Sequence, residues 1–296
     1  MEEGISSPVA AALNGIGYFG SGQWSSEKCL DFWGGDCLTG SMPCDLGCHC
    51  MSQDLFRFAQ ATQTWQKMEL PDSIHNIVSR HSSTAVTIGN NIYFGLGNQT
   101  RNCGGVITYV SGLDSRLEPI RIRRGNFFTH NDVWRFNPIS DLWTEMQPFP
   151  GEGRINAVGY AIGDKGFVGL GKYYRDQDEQ LQTGPLNDFY EFNPGSTLGS
   201  QWQRLQPFPG EAEFTKSFAL GGAGYLLTKS RSSFSTPVSL WKFDRDAESL
   251  GKWTEIAPSI PPGEGLPSAA LTVGSVAYVY LAGPDQNFWM YVAELN

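Results

Sequence analysis

The chain has 296 residues, a formal charge of −9 and a pI near 4.9. A net acidic chain is a poor general nucleic-acid binder, because phosphate contacts need a basic face. Its 35 Gly, 17 Pro, 9 Trp, 11 Tyr and 18 Phe suit many short strands joined by tight turns, and no run reaches the length of an apolar membrane-spanning helix. Met1 is followed by Glu2 and Glu3, with neither the basic nor the apolar region of a signal peptide. That start leaves an intracellular protein, or one whose leader lies outside this sequence.

Taken in order, the chain repeats itself. Apolar runs at 9–13 and 17–22 are followed by the alternating segment 54–58 and then Trp65. The same succession returns at 84–88, 92–97, 132–136 and Trp143, and again at 157–162, 166–171, 188–192 and Trp202. It recurs at 217–220, 224–227, 239–243 and Trp253, and a last time at 269–273, 277–283 and 287–291, without a closing Trp. The best-preserved copy is Asp132-Val133-Trp134-Arg135-Phe136, whose alternation of large apolar and polar residues has the period of a strand with two unlike faces. Asn137-Pro138-Ile139-Ser140-Asp141 then supplies turn chemistry before Trp143. Pairs such as Gly89-Asn90 and Gly163-Asp164 suit tight hairpins between the first two runs.

The unit is therefore four strands, here a to d. Successive strand-d tryptophans lie 78, 59 and 51 residues apart, and the shortest spacing matches a four-stranded propeller blade of about 50 residues. The excess length falls between strands b and c, at about 23–53, 98–131 and 172–187. With Gly20-Ser21-Gly22, Gly95-Leu96-Gly97 and Gly169-Leu170-Gly171 after strand b, an aromatic in strand c and Trp in strand d, the chain resembles the kelch-repeat β-propellers. Kelch blades usually carry adjacent glycines there. Here a residue separates them, and the fourth repeat has Leu227-Thr228-Lys229 instead. Asn-Asp-aromatic, the Asn-Pro turn and Pro-Phe-Pro-Gly particularly resemble bacterial cell-surface kelch proteins.

The resemblance implies an all-β kelch-type propeller of five four-stranded repeats, the last incomplete. One domain spans 1–296, with blades at about 7–70, 80–148, 155–207, 214–258 and 266–296. Residues 1–6 are too few and too polar for a convincing strand d, so the ring is either five blades with one incomplete or a portion of a larger propeller. An unclosed ring would expose strand edges.

The b–c loops and d–a connections leave a blade on the same side, so every long insertion elaborates one face. Loops on a rigid scaffold are where binding usually lives. The first insertion holds Cys29, Cys37, Cys44, Cys48 and Cys50, and Cys103 lies in the second. These read as structural disulfides, with zinc on four of Cys37, Cys44, Cys48, Cys50 and His49 as the rival. The absence of a C-x2-C pair favours disulfides. Arg121 and Arg123 offer bidentate donors for a carboxylate or phosphate, or pair with nearby acids on a solvated ribbon. Pro-Gly-Glu recurs in the d–a connections with Glu152, Glu211 and Glu264, and Arg80 and Arg154 precede strand a at one offset. These either ring the channel mouth for a polar ligand such as a sugar acid, or close turns and bridge blades. Tyr173, beside Tyr174, could stack on a sugar ring or serve its own insertion's core.

His49, His75, His81 and His130 are the only histidines, and no arrangement matches the copper site of kelch-fold galactose oxidases. Nucleophile elbows, phosphate loops and His-Glu metal helices are absent from the sequence. The expectation is a noncatalytic module without cofactor or resident metal. It would bind a protein or glycan through its loop-rich face, outside the cytoplasm or at the cell surface. The alternative is an enzyme resembling the bacterial kelch N-acetylneuraminate epimerases, with Glu152 or Glu211 and Arg154 or Arg80 as its acid/base and sugar-carboxylate groups.

Overall fold

A computed structural model describes residues 5–24, 52–101, 108–113, 119–123, 126–177, 180–210, 212–229, 237–246, 248–257, 265–282 and 288–292. The repeats form as antiparallel sheets. Blade 1 comprises Val9–Leu13, Ile16–Gly20, Leu55–Ala59 and Thr64–Lys67 in that spatial order, and blade 2 comprises Thr84–Ile88, Asn91–Gly95, Val133–Asn137 and Leu142–Glu145. Blade 3 comprises Val158–Ile162, Lys165–Gly169, Phe189–Phe192 and Trp202–Arg204. Blade 4 comprises Phe214–Leu220, Ala223–Lys229, Ser239–Asp244 and Lys252–Ala257, and a three-stranded sheet of Leu266–Val273, Val276–Ala282 and Phe288–Val292 follows. Left-handed residues close the a–b hairpins, among them Asn14, Gly89, Gly163 and Gly274, as tight two-residue turns require.

Strands a pack side by side from blade 1 through blade 5 around a central axis, and apolar clusters fill each joint between neighbouring blades. The strand-d tryptophans work toward the preceding blade. The indole of Trp202 donates to the carbonyl of Gln147, and that of Trp253 to the carbonyl of Gln206, each at 3.0 Å. The Pro-Phe-Pro-Gly segments that follow those carbonyls meet the same indoles. Phe149 meets Trp202 edge-on at 5.2 Å, and Phe208 meets Trp253 at 5.2 Å. Between blades 1 and 2 this place is taken by a short helix, Asp72–Val78, whose Ile74, Ile77 and Val78 pack with Phe94.

The glycine signature after strand b has a steric cause. A Cβ on Gly20, Gly95 or Gly169 would sit 2.2–2.3 Å from the carbonyl oxygen of Asp54, Asp132 or Asp188. The middle residues Ser21, Leu96 and Leu170 take left-handed backbone angles, and their N–H groups donate to those same carbonyls. The chain thereby turns out of the sheet into the insertion. Blade 4 lacks these glycines, and its strand b runs straight on to Lys229.

The insertions carry their own ribbons. Asn98–Arg101 pairs with Asn126–Thr129, Thr108–Leu113 with Pro119–Arg123, and Lys172–Gln177 with Gln180–Pro185. The first and third of these ribbons lie against one another, so the insertions of blades 2 and 3 form one wall. Near the start, Ile5–Ser6 pairs with Gln23–Trp24 in blade 1. Among the described residues no apolar cluster joins the fifth sheet to blade 1, and Trp65, Leu271 and Val273 are exposed.

Candidate functional site

The first residues of strands a surround a cavity of about 340 Å³ on the propeller axis. All five sheets contribute, through 7–10, 82–85, 156–159, 213–217 and Pro267. Strand a begins where strand b ends, so the cavity lies toward the face from which the insertions leave. Its rim is built by a repeated device. Ser7, Ser82 and Asn156 adopt left-handed angles, and the N–H of Ser82 donates to Ser7 and that of Asn156 to Ser82, each at 3.1 Å. Hydroxyls tie the walls together deeper in: Thr84 donates to the carbonyl of Ala157 at 2.9 Å and Ser217 to that of Gly159 at 3.2 Å. Close approach is possible there because position 159 is glycine; a Cβ would meet Thr84 at 2.6 Å.

Blade 4 breaks the pattern, and the break is where charge enters. The strand registers place Lys216 where the other full blades have Val9, Thr84 and Val158. Lys216 is open to the cavity, yet the surrounding protein displaces enough water to hold its ammonium below the ordinary lysine range. No carboxylate pairs with it among the described residues. Glu213, also in the lining, is committed to Lys172, whose ammonium lies 5.6 Å from the ring of Phe214. Among the described residues, then, this cation faces hydroxyl and amide groups and no free carboxylate.

The arginines singled out by the repeat lie elsewhere. Arg80 is buried and holds Asp132 in a two-pronged pair at 2.6 and 2.9 Å, with a third bond to the carbonyl of Leu96 at 3.0 Å. Arg154 does the same with Asp188, at 2.6 and 2.9 Å, and with the carbonyl of Leu170. Its Nε donates to the carbonyl of Glu152, and its guanidinium lies 4.6 Å from the ring centre of Phe149. Burial alone would raise the Asp132 carboxyl. The hydrogen bonds and charge of Arg80, with Trp134 and His130, outweigh burial and hold it below the usual carboxylate range. These pairs fall within a blade, not between blades, and staple the b–c corner to the start of strand a. The carbonyl of Arg80 accepts from Gly22, and that of Arg154 from Gly97, so the same residues also tie adjacent blades.

Tyr173 stands half-buried on the third ribbon with its ring over Gly184, which the structure pairs across from it. Neither it, Glu152, Arg80 nor Arg154 lines the axial cavity. The backbone of Arg121 and Arg123 forms the ribbon Pro119–Arg123, while their side chains, Glu211, Glu264, His49 and all six cysteines lie outside the described residues. The residue that sequence reading missed is Lys216. The signal lies in the hairpins: aligning the a–b turns at Leu13, Ile88, Ile162 and Leu220 sets one lysine against Val9, Thr84 and Val158.

No family model matches the chain, and no curated protein does. Among solved structures it is similar to the one titled "Structure of YjhT", with a TM-score of 0.58, 15% identity, 93% of this chain covered and 71% of that one. The nearly all-β sheets arranged around one axis, together with this likeness, make the fold a kelch-type β-propeller.

Proposed function

We propose that the protein binds a small, polyhydroxylated acid, of the class of acidic monosaccharides, in the axial cavity. The observation that carries this reading is Lys216, an ammonium with no paired carboxylate among the described residues, set among the hydroxyl and amide groups of Ser7, Ser82, Asn156 and Thr215. A cation in a partly desolvated site favours a ligand carboxylate, and converging polar side chains suit ring hydroxyls. The wall of insertions beside the mouth supports a role in admitting or selecting glycan ends. A site outside the cytoplasm or at the cell surface accords with glycan ligands and belongs to this proposal.

A mutarotase-type enzyme is the second reading. It is favoured by Lys216, whose ammonium burial holds below the ordinary lysine range, lining the same cavity as Glu213, since ring opening needs a proton donor and a proton acceptor. Calorimetry with an acidic and a neutral monosaccharide tests the binding proposal. The acid should bind, and Lys216→Met should weaken it by about tenfold or more, roughly 1.4 kcal/mol. Equal affinity for both sugars, or an unchanged variant, contradicts it. Proton NMR of freshly dissolved sugar acid decides the second reading: an anomer-exchange rate unaltered by the protein removes it.

A further inference from the structure

We propose that Lys216 is a carbonyl-capturing amine, forming an imine with small aldehydes or open-chain reducing sugars that enter the axial cavity. The inference shares the cavity with the proposed ligand but not its carboxylate. It requires only that small molecules reach the axis.

Three observations converge on it. Lys216 lines a space of about 340 Å³, large enough for a small carbonyl compound and open to solvent. It is the only amine among the lining residues, and no acid among the described residues holds it by an ion pair. Its surroundings disfavour the charged form, which leaves more of the nucleophilic free amine near neutral pH. The only other titratable group in the lining is Glu213, already paired with Lys172. Strands a of blades 1, 2, 3 and 5 face the amine with Ser, Thr, Asn, Ala, Val, Gly and Pro.

The chemistry balances without a further reactant. The Nζ lone pair adds to the carbonyl carbon, the carbonyl oxygen takes up the two nitrogen protons, and water leaves as the C=N bond forms. Strand a continues past Lys216 under the apolar cover of Phe218 and Leu220, which belong to the joint with the fifth sheet. The amine therefore stands on a rigid element, as a reactive group in a binding site should.

The test uses the intact protein with glycolaldehyde and cyanoborohydride, which delivers hydride to the imine carbon and fixes the adduct. Peptide mapping by mass spectrometry then compares Lys216 with the exposed Lys67 and Lys252 over a pH series. Lys216 should be modified severalfold faster at neutral pH, with its advantage shrinking as pH rises and the other lysines deprotonate. Modification of Lys216 at or below the rate of Lys67 and Lys252 overturns the proposal. Because the comparison is internal to the wild-type chain, it does not depend on a variant folding. Failure of the sugar acid to bind, with fast labelling retained, would reject the ligand reading and leave this one standing. Slow labelling with tight acid binding would do the reverse.

Discussion

At the scale of single residues, buried polar groups separate into those with partners and those without. Asp188 holds Arg154, whose side chain is fully buried. Asp188→Ala leaves that cation uncompensated, so it should cost about 3–5 kcal/mol, read as a fall in unfolding midpoint in denaturant. Tyr160 is the opposite case. Its hydroxyl is buried in the joint between blades 3 and 4 with no hydrogen-bond partner among the described residues, and burial pushes its phenol well above the ordinary value. Tyr160→Phe should therefore be neutral or stabilise the fold by about 1 kcal/mol, seen as an equal or higher Tm. Asp132 sets an acid limit. Its carboxyl titrates lower in the folded state than in the unfolded chain, so its stabilisation is present above the unfolded value and is lost as pH falls through the folded one. Wild type should lose stability through that acid range. Asp132→Asn, already weaker at neutral pH, should show a shallower loss there, measured by unfolding at successive pH values.

At the scale of elements, the strand-d tryptophans report how each blade is covered. Trp253 is 8% exposed, and Trp65 is 58% exposed although it keeps Phe19 and Phe58 beside it at 6.2 and 5.0 Å. Trp253→Ala should cost about 3–5 kcal/mol and Trp65→Ala less than half of that, as paired denaturation curves would show. The strands and their order were legible in the sequence because alternation, turn residues and a repeated Trp all point one way. The glycines after strand b were legible as a kelch-like signature but their cause was not: the carbonyls of Asp132 and Asp188 that exclude a Cβ lie just before strand c, on the far side of the insertion. The Arg–Asp staples were hidden for the same reason. Arg80 and Asp132 are 52 residues apart, and the shared offset of Arg80 and Arg154 before strand a fits a ring at the channel mouth as well as residues that close turns and bridge blades. A single lysine carries no motif, so Lys216 shows in the sequence only as an odd residue at its hairpin position, and its setting appears once five strands share an axis.

At the scale of the whole molecule, the stapled blades gather their innermost strands around one axis, where Lys216 stands with no carboxylate paired to it among the described residues. The exposed Trp65 face of blade 1 and the exposed Leu271 and Val273 of the fifth sheet mark where the apolar joints stop among the described residues. The elaborated face gathers the paired ribbons of blades 2 and 3 beside the cavity's mouth, so the insertions frame the site while the strands hold it. The measurement that tests this account most directly is a crystal structure of the protein soaked with an acidic monosaccharide. The account predicts density on the axis, with a carboxylate within hydrogen-bond distance of Lys216 Nζ and ring hydroxyls against Ser82 or Asn156. Density lodged on the insertion ribbons, with the axis holding solvent alone, would contradict it.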